Sequence, residues 1–151
     1  PSRDEEVEIV RATTVERDDE PETVLGASDV LRLQRLVRTV PVSDWVLYYA
    51  ADLARATRPT EPSSPDFVKK YLSWGAGPRA AQYLTLGAKA RALLDGRVNV
   101  TAADVRSVAH QVLRHRISVN FHAASDGLGP EEIVDRVLEK MPEPREAGGS
   151  R

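Results

Sequence analysis

The sequence predicts a mainly α-helical bundle of five to six helices with at most a small two-stranded β ribbon. Three observations lead there. Apolar residues recur at three- and four-residue steps in most of the chain, as in Val105, Val108, Ala109 and Val112. Pro and Gly fall between those runs, at Pro41, at Pro59, Pro62 and Pro65, and at Gly75 and Gly96. Strict alternation is confined to Arg97–Val100 and to Ile117, Val119 and Phe121. At 151 residues the chain is one domain's length, enough to bury roughly two-thirds of its unfolded surface.

The elements follow in order. Ser2-Arg3-Asp4-Glu5 is a capping box opening a helix over about residues 3–14. Residues 16–27 are acidic and read as a loop, with Thr23-Val24-Leu25 able to dock or form a stray strand. A helix from Ser28 carries Val30, Leu33, Val37 and Val40 on one face, widened by Leu36, and Pro41 ends it. Arg32, Arg35 and Arg38 lie on another side and read as a solvated face. Ser43 caps a helix over 44–57 with Trp45, Tyr49, Leu53 and Ala56 inward. After the Pro-rich loop, residues 66–72 form a short helix. The longest helix runs from Pro78 to about Asp95. Its Ala and Gly residues let neighbours approach closely, and Gly96 provides the left-handed stop. Arg97–Val100 is β-prone and is expected to pair with Ile117–Phe121. Between them a Thr101-capped helix runs to Arg116. Pro130 leads the last helix, with Ile133, Val134, Val137, Leu138 and Met141 on one face, and residues 143–151 are expected to be a disordered tail.

Composition excludes several function classes. There is no cysteine, so disulfides, thiolate nucleophiles and Cys-based zinc sites are absent, which fits a reducing compartment. No apolar run reaches membrane-spanning length, and the expected location is cytoplasmic. His110, His115 and His122 are spaced by five and seven with no carboxylate at ligand spacing, so no metal site is expected. No Gly-x4-Gly-Lys-Ser/Thr loop occurs; Gly87-Ala88-Lys89-Ala90 falls mid-helix without a hydroxyl. The chain alone should not hydrolyse a nucleotide, and no catalytic residue is assigned. The eight aromatics are scattered, a pattern of packing and not of base stacking. The net charge of −2 hides a segregation: residues 26–125 carry fourteen bases against seven acids, between acidic ends. A basic middle favours an anionic ligand or partner there.

Gly75-Ala76-Gly77-Pro78-Arg79-Ala80 sharpens that expectation. Pro suits the first helical position, since it has no amide hydrogen to lose and its φ is already helical. Arg at the second position is unfavourable by ~0.3–1 kcal/mol, because the helix amino end is itself partly positive. An anion reverses the sign: backbone amides, dipole and the Arg79 guanidinium would all attract a phosphate. The plainer alternative is that Arg79 pairs with a nearby carboxylate or lies flat on the surface.

Several segments together resemble one family. Pro1-Ser2-Arg3-Asp4-Glu5-Glu6 is similar to the P-S-x-x-E-E entry to the lid of MoxR-type AAA+ ATPases, and Gly75–Ala80 to their G-(A/P)-S-P-R-A motif. Ala88-Lys89-Ala90-Arg91-Ala92-Leu93 with Gly96-Arg97 resembles A-x-A-x-A-x-x-x-G-R. Val100–Val105 resembles V-x-P-x-D-V, and Val112–Ile117 resembles V-L-x-H-R-I. Residues 59–74 are the weakest part. Two positions depart from the pattern: Gly77 stands for the usual Ser, and Ala103 stands where Pro or Glu is common.

The resemblance implies a lid domain over residues 1–142, a piece of a longer protein whose nucleotide-binding core lies elsewhere. It implies that Arg79, with Pro78 and Gly77, is the sensor-2 element reaching the γ-phosphate of ATP. ATP and Mg2+ are then expected in the parent protein, with no cofactor held by this piece. The implied partners are the N-terminal AAA+ core, neighbouring subunits of a ring and a von Willebrand A-type protein, with no membrane and no nucleic acid. The implied role is chaperone-like assembly. Two other readings stay open at the level of sequence: a histone-like nucleic-acid-binding module, and a free-standing adaptor that binds through its Val/Leu helices.

Overall fold

The computed structural model describes residues 1–15 and 22–143. The expected tail therefore lies outside the described residues apart from Glu143, as does the first half of the expected acidic loop. Among the described residues nine helices and two short strands occur. They divide into two units, residues 1–32 and residues 33–151.

In the first unit, α1 (Arg3–Thr13) opens on the capping box read from sequence: Ser2 N donates to Glu5 Oε2 at 2.7 Å and Glu5 N to Ser2 Oγ at 3.3 Å. No residue of α1 is buried. Residues 22–26 are irregular, so Thr23-Val24-Leu25 forms no strand. The second helix, α2 (Ala27–Thr39), straddles the boundary between units and begins one residue before the expected Ser28. Asp29 accepts from Gly26 N at 3.1 Å and caps it. The expected inward face is not inward. Val30, Leu33 and Leu36 are each more than 40% exposed, and of that stripe only Val40, past the helix end, is buried. Periodicity marks a face that can be covered; it does not supply the cover.

The second unit holds the core. α3 (Asp44–Ala56) packs against α5 (Pro78–Leu94), and α6 (Ala102–Ser107) packs against both. Ala80, Leu84, Ala88 and Ala92 form a fully buried stripe at four-residue steps along α5. Its alanines let the neighbouring helices approach α5 closely. Leu53, Val46, Val105, Leu113 and Ile133 fill the space around it. Gly96 ends α5 at φ 70°, as the sequence predicts.

The β ribbon forms with a different partner. β2 (Ser118–Val119) pairs antiparallel with β1 (Leu72–Trp74), in the register Leu72–Val119 and Trp74–Ser118, and not with Val98–Val100. Both competing segments explain the exchange. Leu72 is buried and carries β1 onto the core, after the short α4 (Asp66–Tyr71). Arg97 is committed elsewhere: its guanidinium makes a two-pronged pair with Asp104, at 2.5 and 2.9 Å, and reaches Asp95 at 3.0 Å. Val98 is left exposed.

The helix expected from Thr101 to Arg116 is two helices, α6 and α7 (Ala109–Leu113), separated at Val108. Ser107 Oγ donates to Asp104 O at 2.8 Å, a local bond that competes with the helical ladder. An unanticipated α8 (Phe121–Ser125) is capped by Asn120, whose side chain also donates to Lys70 O at 2.7 Å. The last helix, α9 (Pro130–Lys140), buries Ile133, Val134 and Val137. Its carboxyl end is closed from outside. Arg106 Nη1 donates to Leu138 O and Met141 O at 2.9 and 2.7 Å, and the Tyr49 hydroxyl donates to Met141 O at 2.9 Å.

Candidate functional site

The amino end of α5 is held by the carboxyl end of α3. The Thr57 hydroxyl, fully buried, donates to Ala54 O at 2.7 Å and accepts from Ala76 N at 2.9 Å. Arg58 Nε donates to Ala76 O at 2.8 Å, so both backbone groups of Ala76 are taken. Ser64 Oγ, donating to Arg58 O at 2.7 Å, ties the Pro-rich loop to the same helix end. Gly75 makes the close approach possible. A Cβ there would collide with the Thr57 carbonyl oxygen and lie 2.5 Å from Arg58 Cα. The turn ahead of Arg79 is thus fixed by hydrogen bonds and contact.

Gly77 is the N-cap residue of α5, with extended backbone (φ −77°, ψ −179°) and no side-chain cap. Pro78 takes the first helical position and Arg79 the second. The first turn contains no acid. Arg79 is exposed and joins none of the ion pairs formed among the described residues. Of the two forms of the plainer reading, pairing with a carboxylate is therefore not found among the described residues, and an exposed side chain at the surface is. The first amides of a helix lack carbonyl partners within it, so the Arg79 amide and guanidinium offer donors at the positive end of a 17-residue helix. The arrangement can bind an anion. Among the described residues no three His, Asp or Glu side chains are grouped to hold a metal.

The three residues singled out in the sequence, Gly77, Pro78 and Arg79, are the N-cap and the first two residues of α5. Sequence reasoning missed Thr57 and Arg58, which precede them by about twenty residues and carry no motif. It also misread Trp74. The packing expectation fits Tyr49, which is buried, but Trp74 is 73% exposed at the rim of a cleft of about 350 Å³ formed with Arg58, Thr60, Gly77 and Pro78. An aromatic directly before a Gly-rich turn was the available signal.

Residues 66–137, from the start of α4 into α9, match the AAA lid domain family. Over 145 residues the chain is 33% identical to Chaperone MoxR1 of Mycobacterium tuberculosis, covering 96% of this chain and 38% of that protein. The chain holds an AAA lid domain of the MoxR type. It is also 29% identical over 150 residues to the uncharacterized protein YeaC of Bacillus subtilis, covering 97% of this chain and 44% of that one. A crystal structure of a candidate ATPase from Cytophaga hutchinsonii superposes with a TM-score of 0.80 at 27% identity, covering 95% of this chain and 44% of that one. The lid chain thus spans less than half the length of these relatives. The lid match includes Gly77, Pro78 and Arg79, while Thr57 and Arg58 lie before it. Among the described residues no helix of the lid is long and apolar enough to cross a membrane.

Proposed function

We propose that this lid works with an AAA+ ATPase core in a ring oligomer and that Arg79 couples its position to the nucleotide bound there. The observation that carries this reading is the exposed, carboxylate-free Arg79 guanidinium on the second residue of α5, presented by a turn pinned to α3. A phosphate oxygen supplied by the core would accept from that guanidinium in a charge-assisted bond, the strongest class of hydrogen bond such a surface can form. The group that fits is the polyphosphate of ATP. Its Mg2+ would be held by the core, since this chain contributes donors and no cluster of carboxylates at the site. Loss of the γ-phosphate would remove the acceptor, and the lid would be released as a rigid body. Chaperone-like assembly of partner proteins is the output suggested by the relative named a chaperone.

The experiment is Arg79→Ala, with Arg79→Lys beside it, in the parent ATPase. Removing a hydrogen bond to a charged group costs about 1.5–3 kcal/mol. ATPase turnover or ATP affinity should therefore fall at least ten-fold in Arg79→Ala, with an unchanged melting temperature, and Arg79→Lys should recover part of it. Wild-type turnover and affinity in Arg79→Ala would remove Arg79 from the mechanism.

A further inference from the structure

His110, partly buried on α7, has a carboxylate on each side of its ring. Its Nδ1 lies 2.6 Å from Glu131 Oε2 and its Nε2 lies 2.9 Å from Asp135 Oδ1, both on α9. Four residues apart, the two acids share one face of that helix. The fold creates this arrangement, since the acids stand 21 and 25 positions after His110 in the chain. A neutral imidazole has one N–H and one lone pair, and only the imidazolium donates from both nitrogens. One of the two contacts is therefore a hydrogen bond only while His110 is charged. We infer that the seam between α7 and α9 is a proton-dependent clasp: charged His110 holds residues 130–135 of α9, and loss of its proton lets them go.

The charges around the seam set the direction. Arg114 donates to Glu131 Oε1 at 3.2 Å, so two cations face two carboxylates and the seam is neutral. Taking the proton away leaves a ring lone pair against a carboxylate oxygen and one uncompensated negative charge. The neighbouring elements send their charged groups elsewhere. On α5, Arg91 pairs with Asp95 and Lys89 donates to Arg38 O; on α6, Asp104 is held by Arg97. On α3, Arg55 pairs with Glu61, and on α9 itself Glu132 caps Gly129 N while Arg136 lies over the Tyr71 ring. The closed seam thus binds a proton that the open one does not need. Closure strengthens as pH falls and weakens as pH rises through the range where imidazole changes charge, between about pH 5 and 8. The opposite end of α9 is held by groups that do not change there. Arg106 stays cationic, and burial pushes the Tyr49 hydroxyl up, away from ionisation. Release therefore begins at Pro130 and pivots about the Met141 end, uncovering Ile133 and Val134 first.

The test is hydrogen–deuterium exchange of the parent ATPase at pH 6 and pH 8, corrected for intrinsic rates and read on peptides covering α9, with α5 as the reference. In the wild type, protection of α9 should be about five-fold higher at pH 6 than at pH 8, the size of two exposed charge-assisted contacts, while that of α5 stays constant. His110→Gln keeps a hydrogen-bonding side chain that cannot charge, and it should abolish the difference. His115 and His122 remain in that variant, so what it abolishes belongs to His110. Asp135→Asn keeps the shape, removes one of the two carboxylates and should at least halve the ratio. Equal protection of α9 at the two pH values in the wild type overturns the inference, as does a wild-type ratio in His110→Gln or Asp135→Asn. A loss of protection shared by α5 and α9 would be a loosening of the whole bundle and overturns the clasp too. None of these outcomes involves Arg79, so the nucleotide-coupling reading stands or falls separately.

Discussion

At the scale of single residues, what prepares Arg79 is mostly not Arg79. The guanidinium is exposed, but its mount depends on Gly75, Thr57 and Ala76 in turn. Gly75→Ala has no room to relax, because the obstruction is backbone and not a side-chain tip. It should lower stability by more than about 2 kcal/mol, read by chemical denaturation, within the range of severe backbone clashes. Thr57→Val keeps the shape and deletes the hydroxyl, leaving the Ala76 amide without its acceptor. The expected cost is about 1–3 kcal/mol. Gly77→Ser behaves oppositely. A Cβ at Gly77 meets nothing within 4 Å, and a hydroxyl at the N-cap position gains a few tenths of a kcal/mol over Gly. A Gly77→Ser protein less stable than wild type would show that the open cap is not as described. The glycine at 75 was visible in the sequence as a turn signal. That it faces the end of α3 was not, because the contact sets its backbone against that of Thr57, eighteen positions earlier, and leaves no periodic trace.

At the scale of elements, the sequence was read most accurately where a helix declares its own ends. The starts of α1, α5 and α9 and the left-handed stop of α5 follow from Ser2, Pro78, Pro130 and Gly96, each a local effect. Strand pairing was read wrongly because Val98 and Val100 alternate as well as Leu72 and Trp74 do. What decides between them is the Arg97–Asp104 pair, a tertiary commitment. That pair also sets a pH response. Burial pushes the Asp104 carboxyl up, but hydrogen bonds from Arg97 and then from the Thr101 amide and hydroxyl outweigh it and hold it below its usual range. A depressed carboxyl contributes stability above its unfolded pKa, about 3.9, and loses it as pH falls through the folded value. Wild-type stability owed to Asp104 should thus be constant from neutral pH to about 4 and decline only below it. Asp104→Asn should cost about 1.5–3 kcal/mol at pH 7, the size of a lost hydrogen bond to a charged group. The gap between it and wild type should then narrow at the acid end of a denaturation series. A constant gap down to the most acid point would show that the carboxylate charge contributes nothing.

At the scale of the whole chain, the core belongs to one stretch only. Residues 40–143 hold every buried core residue among those described, whereas α1 and α2 contain none. Helices of 11 and 13 residues are marginal in water when tertiary packing does not support them. Sequence periodicity could not reveal this, since a face awaiting cover reads the same as a face already covered. The consequence is measurable by native-state hydrogen exchange on this chain. Amides of α1 and the first turns of α2 should exchange at nearly the rate of an unfolded peptide, while those of α5 should open only with global unfolding. In the parent ATPase the same α1 and α2 amides should slow by at least ten-fold, because in the proposed assembly the core supplies the apolar surface that Val7, Ile9, Val10 and Val30 lack here. Equal exchange of these helices in the two contexts would mean that the parent does not cover them, and the lid would then depend on its core through the Arg79 end alone.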